Sequence, residues 1–329
     1  MSTRFPVTDH CDGRHFFNPD GVQARSFMDL PKWWWQRMIL GQGERWPKSV
    51  PASQVPQLPA EIAEGDVAAT FIGHATFLLQ FTGLNLLTDP VFSERASPLS
   101  WAGPKRVRPP ALSLAQLPRV DVVLVSHNHY DHLDLPTLRW LAREHRPLIV
   151  TTLGNKTWLE KRGVANVVEL DWWESHRVSV DFEVTGTPAH HFAARWPWDR
   201  CETLWGGFMI RTAHGSIFFC GDSGWAGHFA EIRQRLGAPD LALLPIGAYD
   251  PRWFLEPVHM NPDEAVRAHL ALGARRSIAM HYGTFQLTNE GIDAPLHALA
   301  AARIAHGVGE KDFTALEFGA TRSGPLRGV

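Results

Sequence analysis

Cysteine is scarce in this chain: Cys11, Cys201 and Cys220 are the three among 329 residues. An odd number at wide spacing argues against a disulfide framework and fits a reducing compartment, and zinc-ribbon spacing is absent. Long apolar runs are lacking too. None reaches the roughly 18 to 20 residues needed to span a bilayer, and residues 1–6 have no apolar core of a secretory signal. An excess of either charge is missing: the net charge is −2, so no global field recruits polyanions, and no nucleic-acid partner is expected. There is no repeat of fixed period and no low-complexity segment. The expectation is a cytoplasmic protein that reaches a membrane, if at all, from its inner face.

The chain is long enough for one large domain or two small ones, and its 44% hydrophobic residues suffice for a sizeable core. Residues 1–66 differ from the rest. They are rich in Pro, Gly and aromatics, and the four prolines between Pro47 and Pro59 read as an extended connector. We expect 1–66 to be an extension wrapped on the core and 67–329 to be the catalytic domain. In the latter, strands are predicted over 68–72, 76–81, 84–88, 120–126, 148–151, 178–186, 207–212, 216–220, 241–245 and 277–280. Helices are predicted over 135–145, 155–162, 226–236, 262–272 and 294–305. Asn261, Pro262, Asp263 and Glu264 form a plain helix start. Hairpins first, then strands followed by helices, suggest an α/β fold with two sheets flanked by helices.

The most informative segment is His127-Asn128-His129-Tyr130-Asp131-His132, directly after the apolar run Val122–Ser126. A buried strand end fixes side chains while the next loop opens to solvent. Imidazole and carboxylate together suit zinc or a similar divalent ion. Other candidate ligands also follow strand-like runs: the pair His190-His191, Asp222 in Gly-Asp-Ser-Gly, and His281. They assemble into a two-metal site. His127, His129 and one of the pair would hold one ion, and Asp131, His132 and His281 the other, with Asp222 bridging. Spacing alone leaves His190 and His191 equivalent. A hydroxide shared by two such ions is a nucleophile near neutral pH.

The pattern His-x-His-x-Asp-His, then a lone His, Asp and His, resembles the signature of the metallo-β-lactamase superfamily. Asp171-Trp172-Trp173, Gly247-Ala248-Tyr249, Pro251-Arg252-Trp253-Phe254 and His281-Tyr282-Gly283-Thr284-Phe285 closely resemble the N-acyl-phosphatidylethanolamine-hydrolysing phospholipase D family. The resemblance covers roughly residues 67 to 320. It implies an αββα sandwich, two zinc ions and a phospholipid substrate. The expected reaction is attack of a metal-bridging hydroxide on phosphorus, giving N-acylethanolamine and phosphatidic acid. It aligns the ligand of the pair with His191 and leaves His190 where Gln is usual. It makes Asp131, Asp222 and His259 the expected catalytic residues, and sets His74, Asp89, His190 and Tyr249 behind the ligands or against the substrate. Val258 stands where mammalian members carry Gln. The family also implies a homodimer.

A phospholipid enzyme without a span meets its substrate at the interface. Lys32-Trp33-Trp34-Trp35-Gln36-Arg37-Met38-Ile39-Leu40 sets tryptophans beside cations, which suits the headgroup boundary; packing of the extension is the other use of Trp33–Trp35. Competing readings keep the metal site and change its use: a hydrolase of another phosphodiester, lactone or ester, an RNA-processing phosphodiesterase, or a non-catalytic metal- and lipid-binding protein.

Overall fold

In the computed structural model, which describes residues 3–51 and 55–326, the run Val122–Val125 is a strand buried throughout. Val122 and Leu124 join one apolar cluster, Val123 and Val125 another. Alternate side chains of a strand point to opposite faces, so a strand apolar at every position must be covered on both sides. That requirement is met by four layers.

A hairpin of β1 (Val7–Thr8) and β2 (Cys11–Asp12) and helix α1 (Leu30–Met38) come first. The first half of the core then runs β3 (Asp66–Gly73), β4 (Thr76–Phe81), β5 (Leu84–Thr88), β6 (Val122–Val125), α2 (Leu135–Glu144), β7 (Leu148–Thr152), α3 (Lys156–Glu160) and β8 (Val167–Leu170). The second half begins with β9 (Ser175–Ser179), β10 (Phe182–Thr187), β11 (Gly207–Thr212), β12 (Gly215–Phe219), α4 (His228–Leu236) and β13 (Leu241–Pro245). It ends with α5 (Arg252–Leu255), α6 (Pro262–Leu272), β14 (Arg276–Met280), α7 (Ala294–His306), β15 (Phe313–Thr314) and β16 (Thr321–Pro325).

Two seven-stranded mixed sheets result, ordered β16-β3-β4-β5-β6-β7-β8 and β15-β14-β13-β12-β11-β10-β9. In each sheet antiparallel hairpins pass into parallel strands, at β5–β6 and at β12–β13. The inner faces meet through Phe71, Phe77, Leu124, Phe208, Ile210 and Phe219. Leu138 and Leu141 of α2 cover one outer face, and Val266 and Leu272 of α6 belong to the cover of the other. Helix α6 starts as its sequence predicts, with a reciprocal capping box: Glu264 N–H donates to Asn261 Oδ1 and Asn261 N–H to Glu264 Oε2, each 2.9 Å.

Two expectations change. The strand predicted over 178–186 is two, β9 and β10, because the chain turns back at the exposed Val180 and Asp181. Within 1–66, α1 forms where three consecutive tryptophans conceal a helical period, with a proline in its first turn. Residues 52–54 of the expected connector lie outside the described residues. Elsewhere this segment touches the core at many points. His10 Nε2 meets Asp171 Oδ1 at 2.8 Å and its ring stacks on Trp172, 4.4 Å between centroids. Asn18 Nδ2 donates to the His191 carbonyl at 3.4 Å, and Trp33 Nε1 to Asn289 Oδ1 at 3.0 Å.

Candidate metal centre

Every candidate ligand sits at or just beyond a strand end on one edge of the sandwich. His127, His129, Asp131 and His132 follow β6, His191 follows β10, Asp222 follows β12 and His281 follows β14. Backbone strain accompanies this placement. Asp89 and His281 have φ of 30° and 61°, a region costly for residues with a side chain and common where function over-determines the backbone. Gly221 (φ 63°) turns the chain before Asp222, and a Cβ there would lie 2.7 Å from that of Ser126.

The side chains converge in two groups. His127 Nε2 and His191 Nε2 lie 2.8 and 3.2 Å from His129 Nδ1. In the second group His281 Nε2 is 3.4 Å and His132 Nε2 3.5 Å from Asp131 Oδ2, with His132 and His281 Nε2 3.2 Å apart. Asp222 Oδ2 stands between the groups, 3.1 Å from His132, 3.2 Å from His281 and 3.9 Å from His191. His74 Nε2 reaches Asp131 Oδ2 at 3.1 Å from behind.

A second layer of hydrogen bonds sets which ring nitrogen faces inward. The Ser126 hydroxyl donates to Asp89 Oδ2 (2.5 Å), so His127 Nδ1–H donates to Ser126 Oγ (2.9 Å). His132 Nδ1–H donates to Asp89 at 2.6 Å, and His191 Nδ1–H to the Val258 carbonyl at 2.9 Å. In the neutral rings the Nε2 atoms of all three then carry lone pairs toward the cluster, the arrangement that metal-binding imidazoles require. Lone pairs facing one another at these separations repel unless a cation lies among them. Asp222 Oδ1 and His281 Nδ1 are buried without hydrogen-bond partners among the described residues, a costly arrangement for polar atoms. The donor set therefore fits divalent cations. His127, His129 and His191 form one group that could hold an ion, and Asp131, His132 and His281, with His74, another.

The electrostatics agree. Burial holds His127 well below the usual imidazole range, and pushes His129 down to about 3 and His191 to about 4, so these rings are neutral and ready to ligate. Burial also acts against charge on His132 and His281, but the Asp222 and Asp131 carboxylates outweigh it. They lift His132 well above the ordinary range and His281 to about 9. Without a cation, protons take its place between imidazole and carboxylate.

His190 points away from the cluster. Its Nε2 is 3.3 Å from Asp20 and its ring stacks on His228. His259 lines the central cavity with Nδ1 3.9 Å from Asp222 Oδ2. Of the Gly-Ala-Tyr motif it is Ala248, not Tyr249, that lines this cavity. Several supports carried no sequence signal, being single residues brought from afar. Arg195 donates to the Asn128 and Leu133 carbonyls (2.8 and 2.9 Å), bracing the motif loop. Buried Glu290 accepts from the Ala248 and Asp250 amides. Arg252, the arginine of the Pro-Arg-Trp-Phe stretch, donates from Nη2 to both Glu264 Oε1 and Oε2 (2.8 and 2.9 Å) and from Nη1 to the His259 carbonyl (2.9 Å).

Paired mixed sheets with a His/Asp cluster at their strand ends define the metallo-β-lactamase fold. The model of the beta-lactamase superfamily domain matches residues 84–282, and the chain belongs to that family. It is 39% identical over 235 residues to N-acyl-phosphatidylethanolamine-hydrolyzing phospholipase D 1 of Caenorhabditis elegans, covering 68% of this chain and 66% of that protein. It is 36% identical to the mitochondrial N-acyl-phosphatidylethanolamine-hydrolyzing phospholipase D of Saccharomyces cerevisiae, over 71% of this chain and 52% of that one. A metal-dependent hydrolase of Rubrobacter xylanophilus is 31% identical over 67% of this chain and 84% of its own. The metallo hydrolase Igni18 of Ignicoccus hospitalis shares the fold, with TM-score 0.62 at 20% identity over 80% of this chain and all of its own. The chain is a metal-dependent hydrolase.

Proposed function

We propose that this hydrolase cleaves the phosphodiester of N-acyl-phosphatidylethanolamine, yielding N-acylethanolamine and phosphatidic acid, with two zinc ions in the metal centre. The observation that carries this reading is the cavity above the cluster. About 210 Å³ in volume, it has His129, Asp131, Asp222 and His259 at its base and a largely apolar wall that includes Trp33, Phe192, Phe254 and Leu287. A polar base under an apolar wall suits a phosphate carrying a hydrocarbon arm.

In this reading His127, His129 and His191 would hold one ion and Asp131, His132 and His281 the other, with Asp222 between the two groups. Bound zinc supplies Lewis acidity toward phosphoryl oxygens and lowers the pKa of water. The chain's own groups orient the reaction. Ser126, Asp89 and the Val258 carbonyl hold the rings in the required tautomers. His259, fixed through its carbonyl by Arg252, offers a side chain to a phosphoryl oxygen. Hydrolysis adds oxygen to phosphorus and hydrogen to the ethanolamine oxygen, so no Ser or Cys nucleophile is needed.

Residues 1–66 act in this scheme as an extension that completes the core 67–329. Trp33 packs inward, its ring 5.4 Å from Phe254. Trp34, Trp35 and Met38 are 62%, 50% and 58% exposed on α1, and no helix among the described residues is long and apolar enough to cross a membrane. Helix α1 is thus read as the contact with the bilayer surface. Vesicle co-sedimentation unchanged by replacing Trp34, Trp35 and Met38 with Ser would remove that contact from the reading.

The function itself is tested by mass-spectrometric product analysis of the zinc-loaded protein with N-acyl-phosphatidylethanolamine in mixed micelles. N-acylethanolamine and phosphatidic acid should form, and should vanish in Asp222→Ala or after chelation. Full metal occupancy without turnover would refute the substrate.

A further inference from the structure

The cavity over the metal centre is built in part by the segment before the core. Ala24, Arg25, Leu30 and Trp33 share it with His129, Asp131, Asp222 and His259. This segment is tied down along its length. Asp20 meets His190 at 3.3 Å, and Arg200 donates to the Ala24 and Arg25 carbonyls at 2.8 and 2.9 Å while its guanidinium lies 5.0 Å from the Phe192 ring centre. Arg25 Nε donates to the Trp253 carbonyl at 3.2 Å, and Trp33 is fixed on Asn289.

Among the residues lining the cavity Arg25 is the one Lys or Arg. It is exposed at the rim, and no carboxylate among the described residues forms an ion pair with it. Its Nε–H is used, which orients the planar fork and leaves the terminal nitrogens as donors. A guanidinium matches phosphate geometry through paired N–H groups. The cavity thus combines a metal-binding base, an apolar wall and one unpaired cation at its edge.

We propose that Arg25 is a substrate-positioning residue that takes a phosphate oxygen of an anionic amphiphile entering this cavity, so that the segment before the core selects phosphate-bearing lipids over neutral ones. The inference rests on the phospholipid reading above for its substrate and on the geometry alone for its ligand class. Arg200 acts through Arg25 by holding the backbone on which it stands.

The test is calorimetric binding of dioctanoyl-phosphatidate and of uncharged dioctanoylglycerol to the zinc-loaded full chain, for wild type, Arg25→Gln and Arg25→Lys. Loss of one charge-assisted contact at a partly open rim should weaken phosphatidate binding about tenfold in Arg25→Gln. Arg25→Lys should recover part of it, as a point charge without the fork. Dioctanoylglycerol binding, zinc stoichiometry and melting temperature should not move. Equal losses for both ligands, no loss for either, or no phosphatidate binding by wild type would overturn the proposal. Turnover of N-acyl-phosphatidylethanolamine is followed in parallel. If it occurs with unchanged KM and unchanged phosphatidate affinity in Arg25→Gln, the positioning role fails and the phospholipase reading stands. If wild type gives none, that reading fails while the paired binding measurement still decides the role of Arg25.

Discussion

Replacing Asp89 with Asn isolates what the second layer contributes to the metal centre. Asp89 is fully buried and accepts three hydrogen bonds: from Ser126 N–H at 2.7 Å, Ser126 Oγ at 2.5 Å and His132 Nδ1 at 2.6 Å. Asparagine fills the same volume and its oxygen can keep one of these. Its amide nitrogen then faces two donors, and the arrangement is relieved when the amide donates to His132 Nδ1 and the ring proton moves to Nε2. That nitrogen faces Asp222 at 3.1 Å and His281 at 3.2 Å. An N–H would occupy the direction in which a cation must be bound. Loss of such a partner typically lowers metal affinity 10- to 100-fold, or about 1.4 to 2.7 kcal/mol. The loss should be larger for a cation held by Asp131, His132 and His281 than for one held by His127, His129 and His191, which Asp89 reaches only through Ser126. Titration against a chromogenic chelator measures both affinities, and long-range proton–nitrogen NMR reads the His132 tautomer. Wild-type metal affinity throughout, with an unchanged His132 tautomer, would refute the reasoning.

Three further outcomes follow from the geometry. Arg252→Lys keeps the charge but has one nitrogen in place of two, so it cannot serve both the Glu264 carboxylate and the His259 carbonyl. The side chain is 29% exposed, so the cost should be about 1 to 2 kcal/mol rather than that of a fully buried pair, visible as a lower melting temperature with a larger fractional fall in kcat/KM. His10 is pulled down by burial, yet the hydrogen bonds and charges of Asp171 and Asp9 raise it above its ordinary value. A raised folded-state pKa gives stability that is complete below about pH 6.5 and lost as pH rises through the folded value. Thermal melts at about pH 6 and pH 8.5 should therefore differ by less in Asp171→Asn than in wild type. Leu124→Ala, fully buried between the sheets, should cost about 2 to 5 kcal/mol in urea unfolding if the inner layer is well packed.

Much of the core was legible because its strands state their environment locally. The runs at 76–81, 84–88, 207–212 and 241–245 fold as predicted to the residue. Helix 262–272 does so as well, because its cap, its proline and its acidic first turn all lie within four residues. Short edge elements were not legible. β8, β15 and β16 have mixed or brief apolar patterns, and what defines them is a neighbouring strand rather than their own period. The turn between β9 and β10 was missed because β-branched residues continue through it, with Val180 carried on an exposed tip.

The candidate ligands were legible for the same local reason. A His or Asp directly after an apolar strand is a pattern that one sequence can reveal. What holds and surrounds them is not local. The contact of Asn18 with the His191 carbonyl closes 173 residues, that of Arg200 with Ala24 176, and that of Arg195 with Asn128 67. Each is a common polar residue with no motif around it, and only the fold gives it a partner. The consequence is asymmetric. The candidate ligands lie at the strand ends of the core, whereas the cavity above them is finished by Ala24, Arg25, Leu30 and Trp33, in the stretch where the sequence is least periodic. Substitutions that change substrate preference without disturbing metal content should therefore cluster in that segment and in the positions it rests on, Phe192, Arg200 and Trp253, rather than around the histidines.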